Sequence, residues 1–100
     1  MENMDYILQV FKGLANEKRL KILETLMENK ELSLEEIAGR LKIPYATCCR
    51  HLKLLERVYL VNSKTRKGEV FYSLNFPKDH PYNKLIFQLI EIRKSRRIKK

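Results

Sequence analysis

Apolar residues recur every three or four positions through the first thirty residues, a period that predicts α-helix. A first helix, ending near residues 13–15, is indicated by Tyr6, Ile7, Val10, Phe11 and Leu14. A second helix is indicated by Leu20, Ile22, Leu23, Leu26 and Met27. Asn16 is a suitable N-cap for the second helix because its side chain can accept from first-turn N–H groups. We expect that helix to end near Asn29.

A helix-turn-helix pattern follows. The short segment 30–34 could form a single strand. Ser33 and Glu36 then have the spacing of a capping box, which predicts the start of a third helix. Its inward residues are Leu34, Ile37, Ala38 and Leu41. Lys42-Ile43-Pro44 ends it, because a residue before proline avoids the α region, and Pro44 suits the first turn of a fourth helix over about Tyr45–Arg57. The core-facing residues of the fourth helix are Cys48, Leu52 and Leu55.

The period then changes to the alternation typical of β-strands. Residues 58–63 and 69–74 flank a polar loop, Lys64–Gly68, and so predict a β-hairpin. Pro77–Pro81 predicts a turn, and a last helix begins at about Tyr82. The apolar stripe of the last helix comprises Tyr82, Leu85, Ile86, Leu89, Ile90 and Ile92.

This order of elements is that of a winged helix. We predict a mostly α protein with a small β-hairpin wing, folded as one winged-helix DNA-binding domain over residues 1–100. The first and last helices carry more apolar surface than so short a chain can bury, and a 3-4 stripe suits packing along another helix. We therefore expect a homodimer through these helices, with two fourth helices ~34 Å apart. Alternatively, both stripes only complete the core of their own chain.

The charge distribution adds a candidate partner. Residues 1–40 carry six basic and eight acidic side chains, a balance of −2, whereas residues 41–100 carry fifteen basic and four acidic, a balance of +11. A basic half beside a neutral-to-acidic half suggests a face for a polyanion, most commonly double-stranded DNA. The alternatives are an anionic membrane surface or a basic but merely solvated exterior.

The candidate DNA-binding residues lie on the fourth helix, opposite Leu52 and Leu55, and at the hairpin tip. On the helix they are Tyr45, Ala46, Thr47, Cys49, Arg50, His51 and Lys53. Arg50 can bind guanine through two hydrogen bonds or contact a phosphate. On the hairpin they are Lys64, Arg66 and Lys67, which suit phosphates or a minor groove. All these residues are alternatively ordinary exposed side chains. The basic end of the last helix fits the helix dipole as well as a DNA phosphate.

Other classes of protein are disfavoured. No run approaches the ~20 apolar residues that cross a bilayer, and the acidic N-terminus lacks a signal peptide's apolar run, so we expect a cytoplasmic protein with no membrane partner. No Ser-His-acid set, paired carboxylates, Gly-rich phosphate loop or metal quartet is present, so we expect no enzymatic activity, cofactor or metal. A winged helix that docks a protein without recognising DNA sequence is the alternative function.

Four segments resemble the ArsR-type winged-helix repressors. Phe11–Leu23 resembles their opening motif and Thr47–Leu55 their recognition-helix motif, while Tyr59–Val61 and Gly68–Leu74 resemble their wing. The resemblance covers about residues 6–92 and implies a homodimeric, operator-binding repressor of a family that is often metal- or redox-responsive. With the expected two-fold dimer, we predict that the operator is pseudo-palindromic. The resemblance also implies that six residues contact DNA: Tyr45, Ala46, Thr47, Cys49, Arg50 and His51.

The departures from the family pattern are informative. Glu31–Ile37 has Ser and Glu where metal-sensing relatives carry thiolates, so soft-metal sensing is not supported there. Asp79 and His80 precede the last helix, with no second His after them, and are predicted to be turn residues. Lys42 and Tyr59 replace the usual glycines, and we expect locally altered turns at both.

The adjacent cysteines need separate interpretations because neighbouring helix positions point ~100° apart. Cys48 replaces a core aliphatic residue and is predicted to act as a small hydrophobe. Cys49 replaces a serine on the DNA face, beside Arg50 and Lys53, where cations favour thiolate. One hypothesis is that oxidation of Cys49 blocks DNA binding; the alternative is a simple Ser-like contact.

Overall fold

The computed structural model describes residues 3–76 and 82–98, and within them the predicted order of elements is confirmed. The helices are α1 (Asn3–Leu14), α2 (Glu17–Glu28), α3 (Leu34–Leu41), α4 (Tyr45–Arg57) and α5 (Tyr82–Ile98). The strands are β1 (Leu32–Ser33), β2 (Val61–Arg66) and β3 (Glu69–Leu74), which form an antiparallel sheet in the order β1-β3-β2. The predicted turn at Pro77–Pro81 and the Asp79-His80 pair lie outside the described residues.

Side-chain capping bonds at the N-termini of α2 and α3 lie at the residues that the sequence predicts. The Asn16 side chain accepts from the Arg19 backbone N–H at 3.0 Å and so caps α2. Ser33 and Glu36 form the complete capping box of α3, with bonds of 3.0 and 2.8 Å. Pro44 is the N-cap of α4, one position before the first-turn placement that we expected, because its ψ of 143° is not helical.

Lys42 and Tyr59 both have the left-handed backbone that glycine favours, with φ of 56° and 64°. The expectation that these turns differ from those of the family stays a prediction. The Lys42 N–H donates to the carbonyls of Ala38 and Gly39, and the Tyr59 carbonyl accepts from the side chains of Asn75 and Asn83. These bonds offset the strain of placing an L-residue there, which is on the order of 1–2 kcal/mol.

The predicted five-residue loop Lys64–Gly68 is wrong in length. Only Lys67 and Gly68 form the turn, and both have positive φ, 53° and 78°. A two-residue turn of this type matches the right-handed twist of paired strands, so the strands continue almost to the tip. Arg66 consequently pairs with Glu69, and Lys64 with Phe71.

The core lies where α4 meets α2, α3 and the sheet. Three residues of α4 are fully buried, as predicted: Cys48, Leu52 and Leu55. They belong to one hydrophobic cluster with Ile22 and Leu23 of α2 and Ile37 of α3. This cluster determines which face of α4 points inward, and therefore which face is exposed.

Ion pairs attach α5 to α2. Arg93 donates to Glu24, whose side chain is only 7% exposed, at 2.7 Å and to Glu17 at 2.9 Å. Lys94 pairs with Glu28 at 2.7 Å. Two cations from the basic end of the chain therefore stabilise the fold, and Arg93 compensates a buried carboxylate whose loss of partner would be costly.

An apolar surface remains exposed on the two terminal helices. Its members are Leu8 and Phe11 of α1 and Leu85, Leu89 and Ile92 of α5, each more than half exposed. The two helices adjoin, since Phe11 and Leu85 line the same cavity. None of the described helices is long and apolar enough to cross a membrane.

The left-handed Lys42 provides a test of the turn. We expect Lys42→Gly to raise the free energy of unfolding by roughly 0.5 kcal/mol, because relief of the left-handed strain exceeds the entropic cost of glycine. Arg40→Gly, an exposed change inside α3, should lower it by about 1 kcal/mol. Urea unfolding at one protein concentration compares the two variants. Destabilisation by both would contradict the assigned strain at Lys42.

Candidate nucleic-acid interface

Helix α4 presents a cationic face to solvent, opposite its buried residues. Ala46, Arg50, Lys53 and Arg57 are exposed at spacings of four, three and four, which place them in one stripe along the helix. Ala46, Arg50 and Lys53 belong to the predicted DNA-binding set, and the small side chain of Ala46 leaves room for close approach. Arg57, in the last turn, extends the stripe and is absent from the sequence-based predictions.

No acidic side chain of α4 lies on this face. The first turn of α4 contains no Asp or Glu, so the partial positive charge of its N-terminus is not neutralised locally. Glu56 is the single acidic residue within Tyr45–Arg57, and its carboxylate accepts from the Ser63 hydroxyl of β2 at 2.7 Å. This bond directs Glu56 toward the sheet and away from the stripe.

The remaining predicted helix residues lie at the start or at the margins of the stripe. Tyr45 is 58% exposed at the start of α4, and Thr47 is half-buried. Cys49 is half-buried against the hydrophobic cluster, on the side of α4 that faces Tyr72 of β3. The structure thus gives Cys49 less exposure than Arg50, and its predicted contact with DNA and its redox role stay predictions.

The thiol of Cys48 on α4 and the phenol of Tyr72 on β3 are both buried, and both stay in their neutral forms at neutral pH. Burial, followed by the neighbouring Cys49, raises the pKa of the Cys48 thiol to about 11. Burial, followed by the carboxylate of Glu56, raises the pKa of Tyr72 to about 12. Cys48 is therefore protonated at neutral pH and behaves as the small hydrophobe that the sequence predicts.

The wing cations divide into two kinds. Arg66 forms two hydrogen bonds to Glu31, at 2.7 and 3.2 Å, and lies over the ring of Phe71 at 4.2 Å. The hydrogen bond from Arg66 lowers the pKa of Glu31, so this pair ties the wing to the segment before β1. Lys64 and Lys67 are exposed, and within residues 3–76 and 82–98 neither forms an ion pair. They are the wing cations available to a polyanion.

His51 is held by Arg19, a residue outside the predicted DNA-binding set. Nη1 of Arg19 lies 3.2 Å from Nδ1 of His51, which is half-buried on the side of α4 next to α1 and α2. Burial, followed by the positive charges of Arg19, Arg50 and Lys18, lowers the pKa of His51. The contact joins residues 32 positions apart, and no local pattern indicates it.

The structure also explains the Ser and Glu that replace thiolates at the start of α3. The Ser33 hydroxyl accepts from the Glu36 backbone N–H, so it serves as a helix cap. Within residues 3–76 and 82–98, no three His, Cys, Asp or Glu side chains are placed to hold a metal ion together.

A helix-turn-helix with a cationic second helix, followed by a hairpin, defines a winged-helix DNA-binding protein. Residues 14–64 match the family model described as a helix-turn-helix domain. The chain is 41% identical over 66 residues to the transcriptional activator HlyU of Vibrio cholerae, a match that covers 66% of this chain and 60% of HlyU. It is 34% identical over 79 residues to the transcriptional repressor PagR of Bacillus anthracis, covering 78% of each. The chain belongs to the ArsR-type winged-helix family of transcriptional regulators.

Solved structures agree with this assignment. The structure of HlyU from Vibrio cholerae matches with a TM-score of 0.71 and 34% identity, covering 88% of this chain and 95% of HlyU. A homodimeric winged helix-turn-helix DNA-binding domain from Mycobacterium bovis has the same fold, with a TM-score of 0.77 and 24% identity over 96% of this chain and 84% of that one. Family and fold favour a DNA-binding regulator over a protein-docking module.

The lowered pKa of His51 predicts a pH-dependent stability. As the pH falls through the ordinary histidine pKa of about 6.5, His51 is protonated in the unfolded chain before it is protonated in the folded protein. The free energy of unfolding therefore falls. His51→Gln should therefore lose less stability than the wild type between pH 7.5 and 5.5 in urea unfolding. Equal losses in the two proteins would show that folded His51 protonates as easily as an unfolded one.

Proposed function

We propose that this protein binds a pseudo-palindromic DNA operator as a homodimer and represses transcription there. The observation that carries the proposal is the exposed cationic stripe of α4, the second helix of a helix-turn-helix, with its one acidic residue turned toward the sheet. In such proteins the second helix enters the major groove, and its first turns contact base edges. A DNA partner would also agree with the expected cytoplasmic location.

Eight of the ten predicted residues have a role in this proposal. Arg50 contacts base edges from the first half of α4, while Tyr45 and Ala46 meet thymine methyl groups at its start. Thr47 contributes a hydroxyl, and Lys53 neutralises phosphate. Lys64 and Lys67 of the wing reach the flanking phosphates, whereas Arg66 positions the wing through Glu31.

The homodimer is proposed from the apolar surface on α1 and α5. Five large apolar side chains there are more than half exposed, and two of them line one cavity between the helices. A two-fold axis at this surface would pair it with itself, which completes the core of each chain. The chain is then one DNA-binding domain whose terminal helices dimerise and whose two α4 helices are ~34 Å apart.

Repression is the direction of regulation that the ArsR-type resemblance implies. Among the relatives, PagR is named a repressor and HlyU an activator. A reporter gene placed behind an operator selected from a random-sequence DNA pool distinguishes repression from activation. We expect expression of this protein to lower the reporter signal. A rise in the signal would make the protein an activator.

Substitution of Arg50 tests base recognition. Duplexes selected from a random-sequence pool supply the specific target, and an unselected duplex supplies the control. We expect Arg50→Ala to weaken specific binding by about 1–3 kcal/mol and to relax base preference, because a bidentate contact is lost. Lys67→Ala should weaken both duplexes equally and reduce the slope of log K against log salt by about one. Equal losses on both duplexes for Arg50→Ala would refute base recognition by that residue.

Substitution of Leu89 tests the dimer. Leu89 is 67% exposed on α5, and a charge there would be buried without a partner at the proposed interface. Leu89→Glu should therefore give monomers in sedimentation experiments and lose operator binding. Lys84→Glu places a negative charge on an exposed position of α5 that is not one turn from Leu85, Leu89 or Ile92, and should stay dimeric. A dimeric Leu89→Glu variant would place the interface elsewhere.

A further inference from the structure

Arg19 connects three segments of the fold through one guanidinium group. Its Nε donates to the Gly13 carbonyl at 2.6 Å and its Nη2 to the Lys12 carbonyl at 3.4 Å, at the end of α1. Its Nη1 lies 3.2 Å from Nδ1 of His51 on α4. Carbonyl groups in the last turn of a helix have no partner within that helix, so Arg19 supplies donors that α1 needs. The same side chain therefore holds both the end of α1 and the ring of His51.

This contact determines which nitrogen of His51 carries the proton. Guanidinium has only donors and stays protonated, so Nδ1 of His51 must accept. A neutral imidazole with an accepting Nδ1 carries its proton on Nε2. A doubly protonated ring would place an N–H against the N–H of Arg19, in agreement with the direction of the His51 pKa shift.

The second nitrogen of the ring is available to a ligand. His51 is half-buried, and among the described residues no acceptor is hydrogen-bonded to its Nε2. Thr47 lies one helical turn earlier on the same side of α4 and is also half-buried. A neutral N–H donor and a hydroxyl at the margin of a cationic stripe suit an anionic oxygen acceptor. On the proposed DNA-binding function, that acceptor is a phosphate oxygen at the edge of the major groove.

We propose that Arg19 is a positioning residue for DNA binding: it fixes His51 as the Nε2–H tautomer, and His51 donates that hydrogen bond to a DNA phosphate. The proposal rests on the DNA-binding function above. It adds Arg19, which touches no DNA itself, and assigns His51 a neutral contact with the backbone. The contact orients α4 relative to the end of α1 and adds affinity without adding charge.

Two near-isosteric substitutions of His51 separate its two nitrogens. Asparagine keeps an acceptor near the position of Nδ1 but has no donor at Nε2, whereas glutamine places an N–H donor near Nε2 and loses the acceptor. We expect His51→Asn to bind the selected duplex about tenfold more weakly. His51→Gln should stay within roughly threefold of wild type, since it keeps the donor. The opposite order would overturn the assignment of Nε2 as the DNA-contacting atom.

The salt dependence distinguishes this contact from a cationic one. A neutral donor displaces no counterion, so His51→Asn should leave the slope of log K against log salt unchanged, whereas Lys67→Ala lowers it by about one. A reduced slope for His51→Asn would mean that His51 binds DNA as a cation and would overturn the proposal.

The tautomer is tested without DNA by nitrogen NMR of the imidazole. In a His80→Gln background His51 is the one remaining histidine, and we expect the shifts of an unprotonated Nδ1 and a protonated Nε2. Arg19→Met should give a mixture of tautomers and move the titration of His51 toward higher pH. Arg19→Lys keeps the charge but loses the planar fork, and should also mix the tautomers. A wild-type ring protonated on Nδ1, or a tautomer unchanged in both Arg19 variants, would overturn the role of Arg19.

The outcomes separate this proposal from the DNA-binding proposal. If the wild type selects no duplex, DNA binding fails as the function and the phosphate contact fails with it, while the NMR result still decides whether Arg19 fixes the ring. If the wild type binds and Lys67→Ala behaves as expected but His51→Asn binds like wild type, only the phosphate contact is refuted.

Discussion

The complete burial of one face of α4 is the constraint on which the rest of the structure depends. Cys48, Leu52 and Leu55 have no exposed surface, and burying each leucine contributes roughly 1.5–3 kcal/mol relative to leaving it in water. Rotation of the helix about its axis would expose these side chains, so the orientation of α4 is fixed energetically. Ala46, Arg50, Lys53 and Arg57 are consequently directed outward as a set.

Internal ion pairing determines which positive charges remain for a partner. Arg93 and Lys94 are neutralised by acidic residues of α2, and Arg66 by Glu31. The net charge of +9 is thus distributed unevenly in space as well as in sequence. Among the described residues, the stripe of α4 and the tip of the wing carry cations without such partners. The α4 stripe and the wing tip therefore keep positive charge that a polyanion can contact.

The features predicted correctly from sequence depend on near neighbours. The bounds of α4, the Asn16 cap and the capping box at Ser33 follow from spacings of three or four residues. The bonds that hold the left-handed Tyr59 come from Asn75 and Asn83, which are distant in sequence, so no local pattern predicts them. The pairing of Arg66 with Glu31 spans 35 positions, and that of Arg19 with His51 spans 32. Such contacts form only after α4 and the sheet have packed, so a local pattern does not contain them.

A dimeric regulator of this architecture needs two outward-facing α4 helices related by a two-fold axis. Hydroxyl-radical footprinting of the wild-type protein on its selected duplex measures this arrangement directly. We expect two protected half-sites with inverted sequences, centred about one helical turn of DNA apart, and two chains per duplex. A single asymmetric footprint with one chain per duplex would contradict the two-fold arrangement.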